Sequence, residues 1–105
     1  MTTYFFVAAS KKFLTVEEPI EEILKERVRN YKEKNKEIDF WLLKNPSFLQ
    51  TTQFADLKAN IPSPPGAILS TDKKFITFLK LRLEFVAVGE FEFPNAEISD
   101  PFKIG

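Results

Sequence analysis

The sequence predicts a single α+β domain, a mostly antiparallel sheet of about four strands flanked by helices. Three observations carry the prediction. Ile20, Ile23, Leu24, Val28 and Tyr31 recur at helical spacing, short β-rich apolar runs lie on either side of them, and from Leu79 to Phe93 apolar and polar residues alternate. At 105 residues, 44% hydrophobic and 29% charged, the chain is long enough for one core, too short for two, and too apolar to stay disordered.

Tyr4 to Ala9 (YFFVAA) is short, aromatic and apolar, which predicts a buried strand; Ser10, Lys11 and Lys12 then turn the chain. Glu17 to Lys34 is the clearest helix. Pro19 suits its first turn, where a missing N–H is no loss. Glu17, Glu18, Glu21 and Glu22 stand at the positive end of the helix dipole, and Arg27, Arg29, Lys32 and Lys34 at the negative end. Those charges read as a solvated face. Glu37 to Leu43 (EIDFWLL) reads as a second strand, broken by Lys44, Asn45 and Pro46. Gln53 to Ala59 fits a short helix with Phe54 and Leu57 inward and Thr51 or Thr52 as its cap. Ile61 to Gly66 (IPSPPG) holds three of the seven prolines and reads as a loop with polyproline II character.

Two readings compete over the next segment. The alternation favours a hairpin, with strands at Gly66–Thr71 and Phe75–Phe93, a turn at Thr71–Lys74, and Gly89 as a bulge or bend. The rival is a helix over Asp72–Leu83, because Phe75, Ile76, Leu79 and Leu83 also fit a 3.6-residue period. The tail, Pro94 to Gly105, reads as extended or frayed.

Composition narrows the chemistry. The chain has no Cys, which removes disulfides, thiolate nucleophiles and the usual structural zinc. It has no His, which removes the commonest metal ligand and the usual general base. With 15 basic and 15 acidic residues the net charge is zero, which argues against nucleic acid as a partner. No apolar run approaches the ~20 residues of a membrane span, and the start of the chain lacks a signal-peptide pattern, so the expectation is a fold that begins at Met1 with no cleaved presequence. No cofactor is expected. The absence of the usual catalytic side chains predicts a protein that binds a partner and is not an enzyme.

Two places stand out against that background. In Ile38-Asp39-Phe40-Trp41 a carboxylate sits among large aromatics, so Asp39 is paired, at an edge, or facing a partner. Arg82, between Lys80 and Glu84, lies on the polar side of the alternation. On an adjacent strand it would sit across from Asp39, a pairing that contributes only ~0.2–1 kcal/mol. Aromatic residues and Arg are favoured at interface hot spots. Asp39, Phe40 and Arg82 are therefore expected to form one partner-binding surface patch. An acid/base pair of Asp39 and Arg82 in a small enzyme is a weaker alternative.

Nearly the whole chain, residues 1 to about 93, resembles the family of hypothetical chloroplast reading frame fifty-four, of cyanobacteria and plastids. The resemblance lies in Met1-Thr-Thr-Tyr, Val16-Glu-Glu-Pro-Ile-Glu-Glu, Asn35-Lys-Glu-Ile-Asp-Phe-Trp and Phe75-Ile-Thr-Phe-Leu-Lys-Leu-Arg-Leu-Glu-Phe, followed by Gly89-Glu-Phe-Glu. It implies an accessory factor of the oxidative cyclase that converts magnesium protoporphyrin monomethyl ester to protochlorophyllide. It further implies that the chain binds the separate di-iron subunit of that enzyme and supports its accumulation or assembly, with Asp39, Phe40 and Arg82 at the contact. The implied location is the cyanobacterial cytoplasm or plastid stroma, beside the thylakoid through the partner. A second reading is a carrier of the magnesium porphyrin itself.

Overall fold

A computed structural model describes all 105 residues. The strands are β1 (Thr2–Ser10), β2 (Phe40–Lys44), β3 (Pro65–Ser70) and β4 (Ala87–Phe93), and the helices α1 (Ile20–Glu33), α2 (Ala55–Ala59) and α3 (Lys73–Leu83). The strands form one sheet in the order β2-β3-β1-β4, with every neighbouring pair antiparallel. β1 and β2 thus run parallel with β3 between them, and β3 and β4 run parallel with β1 between them. Each pair is bridged by a helix, giving the βαββαβ plan of the ferredoxin-like fold.

β1 lies inside the sheet, which is why it is apolar on both sides: Phe6, Val7 and Ala8 have no exposed surface. Val7, Ala9, Phe40 and Ile68 point to a core closed by Leu24 of α1 and by Phe75, Ile76, Leu79 and Leu83 of α3. Phe6, Ala8, Leu43, Leu69 and Phe91 point the other way. There Phe48, Leu49 and Phe54, from the segment between β2 and β3, and Ile98, from the tail, cover them. Both faces of the sheet are therefore packed, except the helix side of β4, where Val88, Glu90 and Glu92 are exposed.

Residues 75–83 are helical and not a strand. The alternation Leu79-Lys80-Leu81-Arg82-Leu83 suits either period, and burial separates them: Leu79 and Leu83 are buried while Leu81 is 74% exposed. Asp72 caps the helix, its side chain accepting from the Lys74 N–H at 3.0 Å. Glu84, at φ 62°, ends it. The alternation is real only in β4, where Val88, Glu90 and Glu92 are exposed between inward neighbours. The expected hairpin is likewise replaced by a crossover, since β1 separates β3 from β4.

Gly89 marks no bulge. The β1–β4 register runs unbroken from Thr2 opposite Phe93 to Ala8 opposite Ala87. Gly89 stands opposite Phe6, and the ring of Phe6 lies across it. β2 begins at Phe40, later than expected, because its partner β3 ends opposite it at Ser70; just before it the Asp39 carbonyl accepts from the Thr71 N–H and the Ser70 hydroxyl at 3.1 and 2.8 Å.

The tail is irregular but not frayed. Ile98 and Pro101 are buried, and Phe102 packs on Trp41 with ring centres 4.6 Å apart. The Ser47 N–H donates to the Lys103 carbonyl at 2.8 Å, and the Gly105 N–H to the Asn45 carbonyl at 3.0 Å. Glu97 accepts from both the hydroxyl and the N–H of Thr52, and these bonds hold its carboxyl below the ordinary carboxylate range. A folded-state pKa lowered in this way adds stability above the unfolded pKa, and that stability is lost as pH falls through the folded value. Glu97→Gln is expected to flatten the acid limb of the stability profile, measured as the thermal midpoint between about pH 6 and pH 3. An unaltered limb in the variant would show that the tail is held without this carboxylate.

Candidate interaction site

Arg27 organises the helical side of the molecule. It follows Ile23 by one turn and precedes Tyr31 by one, so it falls beside the apolar stripe of α1, at its edge. Its side chain is only 25% exposed, unlike the solvated cation expected. The guanidinium lies 3.8 Å from the ring centre of Phe75, 5.0 Å from Tyr31 and 5.3 Å from Phe40. Its Nη2 donates to the Tyr31 hydroxyl at 2.8 Å and to Asp72 Oδ2 at 3.2 Å. The Tyr31 hydroxyl in turn donates to Asp39 Oδ1 at 2.9 Å. A chain of charge-assisted bonds thus runs Asp72–Arg27–Tyr31–Asp39 and joins α3, α1 and the start of β2.

Asp39 and Phe40 belong to this network. The cation nearest Asp39 is Lys36, at 4.0 Å. Phe40 is 4% exposed and meets Tyr31 and Phe75 edge to face. It supports the surface from below and is not part of it.

Arg82 is elsewhere. It lies ten residues beyond Asp72, a rise of about 15 Å along α3, and it is exposed. It does not pair with Asp39, and the two form no acid/base couple. Arg82 lies in a hollow with Glu18, Ile20 and Leu83. A second hollow, of about 450 Å³, is lined by Glu26, Arg27, Phe75 and Phe78. Glu22 and Ile23 line both, so the two adjoin along one open trough between the antiparallel helices α1 and α3. Asp39 and Phe40 brace one end of that trough through Arg27, and Arg82 stands at the other.

Arg27, Tyr31 and Asp72 were not singled out by sequence. The available signal was a cation at the edge of an apolar stripe, four residues before its tyrosine. Glu97, whose carboxyl Thr52 holds low, lies on the opposite side of the sheet from the trough. No three acidic side chains converge as metal ligands would, and no helix is long and apolar enough to cross a membrane.

The Ycf54 protein family model matches residues 2–93. A Ycf54-like protein of Synechocystis is 55% identical over 101 residues, covering 96% of this chain and 76% of that one. A chloroplastic YCF54 protein of Arabidopsis thaliana is 40% identical over 92 residues, covering 87% of this chain and 43% of that one. The crystal structure of the All0216 protein from Nostoc superposes with a TM-score of 0.95 at 55% identity, covering 98% of this chain and 95% of that one.

Proposed function

The chain belongs to the Ycf54 family, and from that premise we propose that it is a non-catalytic accessory or assembly factor, which binds and supports the di-iron subunit of the magnesium-protoporphyrin IX monomethyl ester oxidative cyclase of chlorophyll synthesis. Relatives in a cyanobacterium and in a chloroplast fit such a role. It acts in the cytoplasm or stroma and reaches the thylakoid through its partner.

One observation carries the reading. A di-iron centre takes carboxylates together with histidines, and this chain has no histidine to offer. The iron chemistry then belongs to another polypeptide. The open trough with Arg82 at its mouth, rather than an enclosed cavity, suits a protein surface. A porphyrin carrier has less support, because three of the four strands are packed on both faces and most aromatic rings are engaged with one another.

The test is co-purification of the di-iron subunit with tagged chain, wild type beside Arg82→Ala. Wild type is expected to retain the subunit and Arg82→Ala to lose most of it. Arg82 is exposed, so its folding should change by less than about 0.5 kcal/mol. Failure of the wild type to retain the subunit refutes the accessory-factor reading. A Soret shift on titration with the porphyrin ester would favour the carrier.

A further inference from the structure

We propose that the α1–α3 trough is a docking groove for one amphipathic helix of the protein partner, basic along its edge toward α1 and acidic along its edge toward α3. This rests on the accessory-factor reading and specifies how the partner is held.

α3 is apolar on two sides. Its buried stripe faces the sheet. A second stripe carries Phe78, 51% exposed, and Leu81, 74% exposed. Phe85, just past the helix end, is 81% exposed. A surface helix with one packing partner needs one apolar stripe, so the second implies another.

Phe85 is presented by a fixed turn. Lys80 Nζ donates to the Glu84 carbonyl at 3.0 Å and to the Val86 carbonyl at 2.8 Å, while Glu84 holds φ 62°. A backbone already fixed at that point needs no ordering on binding. Phe78, by contrast, stacks on Phe75 and forms part of the trough wall.

The charges select the occupant. Glu18 and Glu22 line the trough from the α1 side, and neither enters any of the four ion pairs of the chain. Arg82 and Lys74, on α3, are also unpaired. Lys74, Phe78 and Leu81 follow at spacings of four and three, so Lys74 heads the exposed stripe. An occupant therefore meets Glu18 and Glu22 on the α1 side, Arg82 and Phe78 on the α3 side, and the apolar Ile23 and Phe75 between them, while Lys74, Leu81 and Phe85 lie past the α3 rim. From Ile20 to Asn30, both on its wall, the trough runs about 15 Å along α1, enough for two turns or more of helix. An anionic membrane is disfavoured by the acidic wall.

The experiment uses full-length tagged chain and the di-iron subunit in detergent-solubilised membranes. Phe78→Ser/Leu81→Ser, on the α3 wall and rim of the trough, is expected to weaken retention roughly thirty-fold, as hot-spot removal does. Glu18→Lys/Glu22→Lys is expected to weaken it roughly tenfold and to reduce its salt sensitivity. Asp56→Lys, on α2, should leave it unchanged. A photo-crosslinking residue at position 85 is expected to label partner residues three or four apart on one helix with Lys or Arg along one flank. If wild type captures nothing, the accessory-factor reading fails. If wild type captures the subunit and both groove variants capture it equally, the groove is wrong and the reading stands. Labelling of an extended partner segment, or of a second copy of this chain, overturns the proposed occupant.

Discussion

Gly89→Ala is expected to lower the unfolding free energy by about 1–3 kcal/mol, far more than one exposed methyl group normally does. The added Cβ would lie 2.5 Å from Cζ of Phe6 and 2.9 Å from Cε2. Phe6 cannot retreat, because it is fully buried and wedged against Phe48 and Phe54, with ring centres 4.9 and 5.2 Å away. The backbone at Gly89 is not in the left-handed region, so the effect is steric. Phe6→Leu in the same chain should make room and recover at least about 0.5 kcal/mol of the loss. Urea unfolding of the two single variants and the double variant measures this. Additive losses would show that the ring and the glycine do not compete for one space.

Arg27→Met is expected to cost about 2–3 kcal/mol. The ion pair with Asp72 contributes less than about 1 kcal/mol, since a quarter of each side chain remains in water. The larger part comes from the three aromatic rings around the guanidinium, where a partly desolvated cation contributes up to about 2 kcal/mol. The loss of the bond to Tyr31 adds about 1 kcal/mol. Arg27→Lys should not restore stability, because an ammonium lacks the planar face and the fork of donors. Denaturant midpoints for Met and Lys variants decide it; a Lys variant as stable as wild type would remove planar stacking from the account.

The sequence was most legible where one period dominates. α1 declared itself through five apolar residues on one stripe, and β1 through an uninterrupted apolar run. Residues 79–83 were misread because Leu79, Leu81 and Leu83 satisfy a period of two while Leu79 and Leu83 also satisfy a helical turn. Leu81, the exposed residue, is the one that separates the readings, and exposure cannot be seen in a sequence. β4 kept its alternation because it is an edge strand covered on one side only. The tail was hidden for another reason: Ile98, Pro101 and Phe102 are isolated apolar residues in irregular backbone, and their partners, such as Trp41, lie far away in sequence.

Of the three residues singled out for binding, Asp39 and Phe40 are adjacent in sequence and act together. Arg82 was expected beside them because a strand would have carried it there, whereas a helix carries it to the far end of the trough. Arg27 was hidden by its charge, which reads as solvated in any helix this rich in Lys and Arg.

The central place of β1 also sets the order in which the molecule can be made. Of the four strands β1 leaves the ribosome first, yet Val7 pairs with Ile68 on one side and Val88 on the other. Neither neighbour exists until most of the chain has been synthesised. Through that interval Tyr4 to Ala9, an uncharged run without proline, has no partner strand, and such segments pair readily with copies of themselves. Closing the sheet requires contacts between distant parts of the chain, which folds slowly compared with a helical bundle of the same size. The nascent chain is thus most exposed to aggregation before β3 emerges, and β4, the last of the four strands made, completes the pairing of β1.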